Sequence, residues 1–299
     1  MCGLAGFVNL DGAPADIHIV RAMTRLLAHR GPDDRGEHLF SLRARPDADS
    51  GIGFQRLKVL DLSDHGHQPM ANDAGTILIA LNGEIYNAFD YKPALEAAGY
   101  RFRSRTDTEV LLYLYERHGL DGMLERLNGM FALAIADLRS HEVHLARDHF
   151  GIKPLYWAQT GSTVLFASEA KSFLAHPAFT AQIDEDHVDE QLAFRYLAGE
   201  ASLLRGVHQL RPGHRLTITP DGIQITRYWA IPDAAEKPQR TRQESAEQLG
   251  SLMRASVSAQ LLSDVKVGCQ LSGGVDSSLV TALAREQGAN TGAFSVIFE

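Results

Sequence analysis

The chain has 299 residues, 44% of them hydrophobic, and sets 29 Lys and Arg against 37 Asp and Glu for a net charge of −8. That balance argues against a nucleic-acid binder, whose phosphate contacts need a basic face. The longest apolar run, Met130 to Ala136, is far below the ~18 to 20 residues of a membrane helix. At about 150 residues per domain, the length predicts two domains.

The opening MCGLAGFVNL reads neither as a secretory signal nor as a transit peptide. Cys2 and Cys269 are the two cysteines, which excludes a disulfide framework and a cysteine-rich zinc site. The cytoplasm is the expected compartment and Cys269 an expected core thiol. His65, His67, His141 and His144 lack the H-E-x-x-H spacing, so no dedicated metal site is expected.

In chain order, residues 3 to 10 read as a strand, and Ile17, Val20, Met23, Leu26 and Leu27 fall at helical spacing over 16 to 28. His29-Arg30-Gly31-Pro32 ends that helix in a structural turn. Strand-like runs follow at 51–60, 76–81, 130–137, 142–147, 153–157 and 163–167. Between them, Thr106-Asp107-Thr108-Glu109 predicts a capping box, the threonine capping a helix while Glu109 reaches back to the threonine amide. These elements predict a layered α/β domain of mixed or antiparallel sheets over residues 1–215. Closing strands and a linker are expected at 216–242, where IPDAAEKPQRTR has no apolar period.

Beyond it, a helix at 243–262, a strand at 265–271, a glycine-serine turn, a helix at 277–286 and a strand at 293–298 predict a β-α-β unit of a parallel sheet. Two strands cannot bury both faces of such a sheet, so 243–299 reads as a domain cut short.

If Met1 is removed, Cys2 carries a thiol and a free α-amine in one residue. An amine with a reference pKa near 8 can act as base for its own nucleophile; the plain alternative is a small residue near a terminus. Asn82-Gly83, after the apolar Ile77 to Leu81, either faces an oxyanion with a side-chain amide and a backbone N–H or forms a hairpin turn. Arg56 suits a carboxylate and Asp107 an ammonium, the two ends of an α-amino acid. Each is otherwise an ordinary surface or helix-end charge. The run Leu271 to Ser278, LSGGVDSS, joins a strand to a helix. Its glycines admit a ligand, and its hydroxyls and helix amides suit phosphate oxygens. It lacks the Walker A lysine, and the alternative is a capped glycine turn.

MCGLAG, HRGPD at 29–33, NGEIYN at 82–87, RTDTEV at 105–110, GMFALAIAD at 129–137 and RDHFGIKPLYW at 147–157 together resemble the class II glutamine amidotransferase domain. More narrowly, with SGGVDSS following, the chain resembles the glutamine-hydrolysing asparagine synthetase family, which needs both parts.

The resemblance implies a four-layered N-terminal-nucleophile hydrolase sandwich, then the start of a doubly wound parallel α/β nucleotide-binding domain of the ATP-pyrophosphatase type. Cys2 would attack glutamine, with Asn82 and Gly83 as the oxyanion site and Arg56, Leu57, Lys58, Val59, Leu60, Glu84 and Asp107 holding the substrate. Ser272, Gly273, Gly274, Val275, Asp276, Ser277 and Ser278 would cradle the phosphates of ATP with Mg2+, Asp276 being a candidate metal contact. Leu271 and Val296 would touch the adenosine. The implied enzyme is a ligase in which ammonia amidates an adenylate of aspartate, with this chain limited to the glutaminase half. A different carboxylate acceptor, or a glutamine-binding module without synthesis, stays open, as does a homodimer. Lys58 departs from the family's usual serine.

Overall fold

A computed structural model describes residues 1–43, 45–233, 240–288 and 291–297. They fall into two compact units, one of residues 1–58 and 63–230, the other of 59–62 with those from 231 onward.

The first unit begins with β1 (Gly3–Asn9), α1 (Ile17–Arg25), β2 (Asp34–Phe40), β3 (Ser50–Arg56), β4 (Met70–Ala71) and β5 (Ile77–Ile85). It continues through α2 (Ala88–Ala97), α3 (Asp107–Leu124), β6 (Gly129–Asp137), β7 (Glu142–Arg147), β8 (Tyr156–Thr160), β9 (Thr163–Ala167) and α4 (Val188–Phe194). It closes with β10 (Val207–Gln209), β11 (His214–Thr219) and β12 (Gly222–Arg227). One sheet runs in the order β10-β8-β9-β1-β3-β2 and the other β12-β11-β7-β6-β5-β4. Neighbouring strands in both are antiparallel wherever they pair.

The layering follows from strand alternation. In β1, Leu4 and Val8 join Phe54, Leu78, Ala80, Ala134 and Leu145 in a core between the two sheets. Ala5 and Phe7 point the other way, to Val20, Met23 and Leu27 at α1. In β5, Ile77, Ile79 and Leu81 face outward onto Val110, Leu111 and Leu114 of α3 and Leu95 of α2. Helix, sheet, sheet and helix layers result, the four-layered α/β sandwich.

Gly6 is needed at the centre, because a Cβ there would meet Phe166 Cζ at 2.3 Å and Gly51 O at 2.5 Å. Phe166 is fully buried. Phe166→Ala is expected to cost about 3 to 5 kcal/mol, the range for emptying a buried phenylalanine site, and urea denaturation measures it.

Several boundaries differ from the pattern in the sequence. The 16–28 helix stops at Arg25. The 51–60 strand stops at Arg56, the 76–81 strand runs on to Ile85, and the 153–157 strand lies at Tyr156–Thr160. The predicted capping box forms only half. Thr106 accepts the Glu109 amide at 3.3 Å, but the Glu109 carboxylate takes the Arg103 and Ser104 amides at 2.9 and 2.7 Å, because Ser104 Oγ already accepts the Thr106 amide.

The second unit holds α5 (Arg242–Ala259), β13 (Gly268–Gln270), α6 (Val275–Glu286) and β14 (Gly292–Phe294). β13 and β14 pair in parallel around α6. Each strand is shorter than expected, and Phe298 and residues 234–239 of the expected linker lie outside the described residues. Thr241 and Glu244 form a complete capping box in what reads by composition as linker. Leu283 and Ala284 are buried, whereas Leu249, Leu252, Val275 and Ile297 are exposed. Cys269 is half-buried and not a core thiol, since two short strands enclose little. No helix among the described residues is long and apolar enough to cross a membrane.

Candidate active site

Cys2 directly precedes β1 and packs against the core between the sheets. The Leu57 amide donates to Cys2 Sγ at 3.3 Å, and the thiol lies 3.7 Å from Leu57 O. Burial pushes the Cys2 thiol up from its ordinary value, and the Leu57 hydrogen bond offsets part of that rise. Arg30 Nε donates to the Cys2 carbonyl at 2.8 Å. A second Arg30 nitrogen reaches Glu169 Oε1 at 2.7 Å, the oxygen that His29 Nε2 meets at 2.9 Å. Burial alone would raise the Glu169 carboxyl, but hydrogen bonds from Arg30, Lys171 and His29 hold it at about 2. The HRGPD turn therefore anchors the Cys2 backbone, a role not visible in its sequence because Glu169 is 139 residues away from Arg30.

β5 carries three expected site residues inside the strand: Asn82 faces Ala132, Gly83 faces Phe131 and Glu84 faces Met130 of β6. The hairpin alternative for Asn82-Gly83 is thereby excluded. A Cβ on Gly83 would meet Met130 O at 2.2 Å and Phe131 Cα at 2.7 Å, so glycine is required by the close approach of β6. Phe131 gives both its backbone groups to Asp148, accepting at 2.8 Å and donating at 3.2 Å. Gly83 and Phe131 are then a non-hydrogen-bonded pair, and the Gly83 N–H points to the edge of β5 away from β6. On that edge the Leu81 amide donates to Gln68 Oε1 at 2.7 Å and the Ile85 amide to Asp107 Oδ2 at 2.9 Å, with the Gly83 amide between them.

Asn82 lies on the opposite register from Leu81, the register of Leu78 and Ala80, whose side chains share the inter-sheet core with Cys2. It is 1% exposed. Its side-chain nitrogen donates to Ser168 Oγ at 3.5 Å, and its Oδ1 is buried with no partner among the described residues. Ser168 Oγ also accepts the Leu4 amide at 3.1 Å. Sequence reasoning missed Ser168; its only signal is a small hydroxyl residue directly after an apolar strand.

Asp107 is the first residue of α3, and its carboxylate accepts the Ile85 and Thr108 amides. Burial pushes it up to about 6 despite those hydrogen bonds. Glu84 is raised by burial and then by Asp107. Two carboxylates short of positive charge make a site for a cation. Lys153, 6% exposed, is a further cation here that sequence reasoning missed; burial lowers its ammonium while Glu84 and Cys2 pull it back.

Arg56 is buried and donates to Ser63 O at 3.0 Å, its guanidinium against Gly66. The Lys58 amide donates to Asp33 at 2.9 Å, and Lys58 Nζ pairs with Asp64 at 2.9 Å. The Lys58 side chain is 20% exposed and that of Asp64 96%, so the ammonium emerges from a covered stem to meet a partner in solvent. Lys58→Ser is expected to leave the KM for glutamine within about twofold, as for an exposed ion pair; steady-state kinetics checks it. Val59 and Leu60 group with the second unit.

In that second unit, Gly273 takes φ +84°, turning the chain between β13 and α6. Ser272 Oγ and Ser277 Oγ are 3.0 Å apart, and Ser277 and Ser278 donate to Gly274 O at 3.1 and 2.8 Å. The helix opens at Val275 with Gly274 as its cap and Asp276 in its first turn. The Leu271 amide donates to Phe294 O at 2.8 Å, and Val296 is exposed two residues beyond β14.

The glutamine amidotransferase domain family matches residues 1–229. The chain belongs to that family. Residues 248–299 match the asparagine synthase family. The chain is 36% identical over 304 residues to asparagine synthetase [glutamine-hydrolyzing] 1 of Bacillus subtilis, a match covering 100% of this chain and 46% of the relative. It is 37% identical over 293 residues to asparagine synthetase [glutamine-hydrolyzing] 3 of the same organism, covering 95% and 45%. The chain thus spans about half the length of these relatives. Among solved structures it is similar to the glutamine phosphoribosylpyrophosphate amidotransferase of B. subtilis, with a TM-score of 0.58, 19% identity and coverage of 98% of this chain and 65% of that one; at that identity the likeness is one of fold.

Proposed function

We propose that this chain hydrolyses glutamine to glutamate and ammonia at Cys2, the first half of a glutamine-dependent asparagine synthetase reaction. With Met1 removed, the α-amine takes the thiol proton as Sγ attacks the side-chain carbonyl of glutamine. The Asn82 side chain and the Gly83 N–H would receive the oxyanion, and the α-amine returns the proton to the leaving ammonia. Water then cleaves the thioester to release glutamate. The Asp107 and Glu84 carboxylates suit the substrate ammonium and Arg56 its carboxylate.

The observation that supports this reading is the edge of β5, where the Gly83 amide lies between one amide held by Gln68 and one held by Asp107, on a strand sharing its core with Cys2.

In the second unit, Ser272 to Ser278 would bind the β and γ phosphates of ATP with Mg2+, Asp276 being a candidate ligand of the ion and Leu271 and Val296 flanking the adenosine. Ammonia would then amidate an acyl-adenylate. Aspartate is the acceptor that fits the relatives' names, and the cytoplasm is the compartment that keeps a thiol nucleophile reduced.

Glutamate release by the purified chain, with intact mass showing Met1 absent, tests the first half. Turnover is expected, and its absence from a processed chain refutes the reading. The raised Asp107 adds a pH signature. Below pH 6 it takes up a proton and the substrate ammonium loses one of its two carboxylate partners, so the KM for glutamine should rise, by up to about tenfold per pH unit. A KM flat from pH 7.5 to 5 would remove Asp107 from the pocket.

A further inference from the structure

Beside the proposed oxyanion site one buried amide oxygen has no partner and one buried hydroxyl accepts without donating. Asn82 Oδ1 is buried and unpartnered among the described residues. Ser168 is fully buried, and its Oγ accepts from the Leu4 amide at 3.1 Å and from the Asn82 nitrogen at 3.5 Å. That hydroxyl therefore receives two hydrogen bonds and donates none. A buried acceptor and a buried O–H donor, each unsatisfied and both belonging to one contact, carry a desolvation cost that native interiors avoid. A half-turn of the Asn82 amide exchanges its oxygen and nitrogen without displacing the group. Ser168 then donates to Asn82 Oδ1 while still accepting from Leu4, and the amide end left open is the NH2, a donor that a ligand oxygen can satisfy.

We propose that Ser168 is a positioning residue that fixes the Asn82 amide in this orientation, so that the Asn82 NH2 is the end turned away from Ser168 and held for a ligand oxygen. The inference rests on the reading of Asn82 as an oxyanion donor. It adds what decides which end of a two-faced amide is presented. The Leu4 amide is essential to the device: by occupying a lone pair of Ser168 Oγ it directs the hydroxyl hydrogen elsewhere, and Leu4 lies on β1, two residues after Cys2. The Ser168 amide in turn donates to Leu4 O at 2.8 Å, so serine and leucine are locked in both directions. The nucleophile's strand and the oxyanion side chain are thereby coupled through a single hydroxyl.

Neutron diffraction from crystals of the chain reads the orientation directly, whether or not glutamine is turned over. Density for the Ser168 hydroxyl hydrogen between Oγ and Asn82 Oδ1 is the expected result. Deuterated Asn82 nitrogen facing Ser168 overturns the proposal.

Kinetics reads the consequence. Ser168→Ala should lower kcat for glutamine hydrolysis about tenfold at unchanged KM, since it frees a donor needed chiefly in the transition state. Ser168→Thr, which keeps the hydroxyl, should restore most of it. In an Asn82→Ala background the same Ser168→Ala change should cost no more than about twofold, because the residue it acts through is gone. Equal losses in both backgrounds overturn the proposal while leaving the glutaminase reading intact. A processed wild-type chain that releases no glutamate overturns the glutaminase reading, and the neutron map still decides the amide. Should Ser168→Ala not fold, the map and the Ser168→Thr variant remain.

Discussion

Cys2→Ala is expected to lower glutamine hydrolysis by about 10³-fold or more, the loss typical of removing a covalent nucleophile. The thiol is held by the Leu57 amide, and its backbone carbonyl by Arg30. Substitution to alanine removes the first contact and keeps the second, so the strand that follows stays in place. Binding of glutamine should therefore survive in the variant, measurable by calorimetry, while glutamate release disappears. A variant that keeps steady turnover would transfer the chemistry to another group, and the only other cysteine, Cys269, lies in the second unit.

Asn82→Ala should reduce kcat by about 10² to 10³, the range found when one oxyanion donor is deleted. The KM for glutamine should move far less, because neither end of the amino acid is bound by Asn82. The Gly83 amide would remain as the second donor, so activity falls without vanishing. A change confined to KM would show that Asn82 acts in ground-state binding. The pair of results separates nucleophile from electrostatic stabiliser, which glutamate release alone does not.

Much of the first unit was legible in the sequence because its strands alternate strongly. β1, β6, β7 and β9 lie within a residue of the runs that predict them. The strand Asp34–Phe40 was not legible, because DRGEHLF buries only Gly36 and Phe40, one of them a glycine, and shows no apolar alternation. Asn82 and Gly83 carry the residues that usually mark a turn, and sequence alone does not distinguish that from a strand. What decides it is the tight approach of Met130 and Phe131, a tertiary fact. Cys2, Asn82 and Asp107 were singled out from residue type and order, and Glu84 from the family resemblance alone. Arg30, Lys153, Ser168 and Glu169 were not, since each acts through a partner distant in sequence. In the second unit, the capping box at Thr241 lay hidden in a stretch whose prolines and charges read as a linker.

The strand that follows Cys2 is an interior strand of its sheet, bordered by β3 on one side and β9 on the other. Its second border is supplied by residues 163–167, and the Ser168 that meets Leu4 comes directly after them. During synthesis Cys2 precedes these residues by far, so its enclosure must await residues 163–168. Long-range pairing of this kind is slow to form. If Met1 is removed as proposed, that interval is when the Met-Cys bond is open to an aminopeptidase, and topology would then order maturation of the amino group before assembly of the pocket.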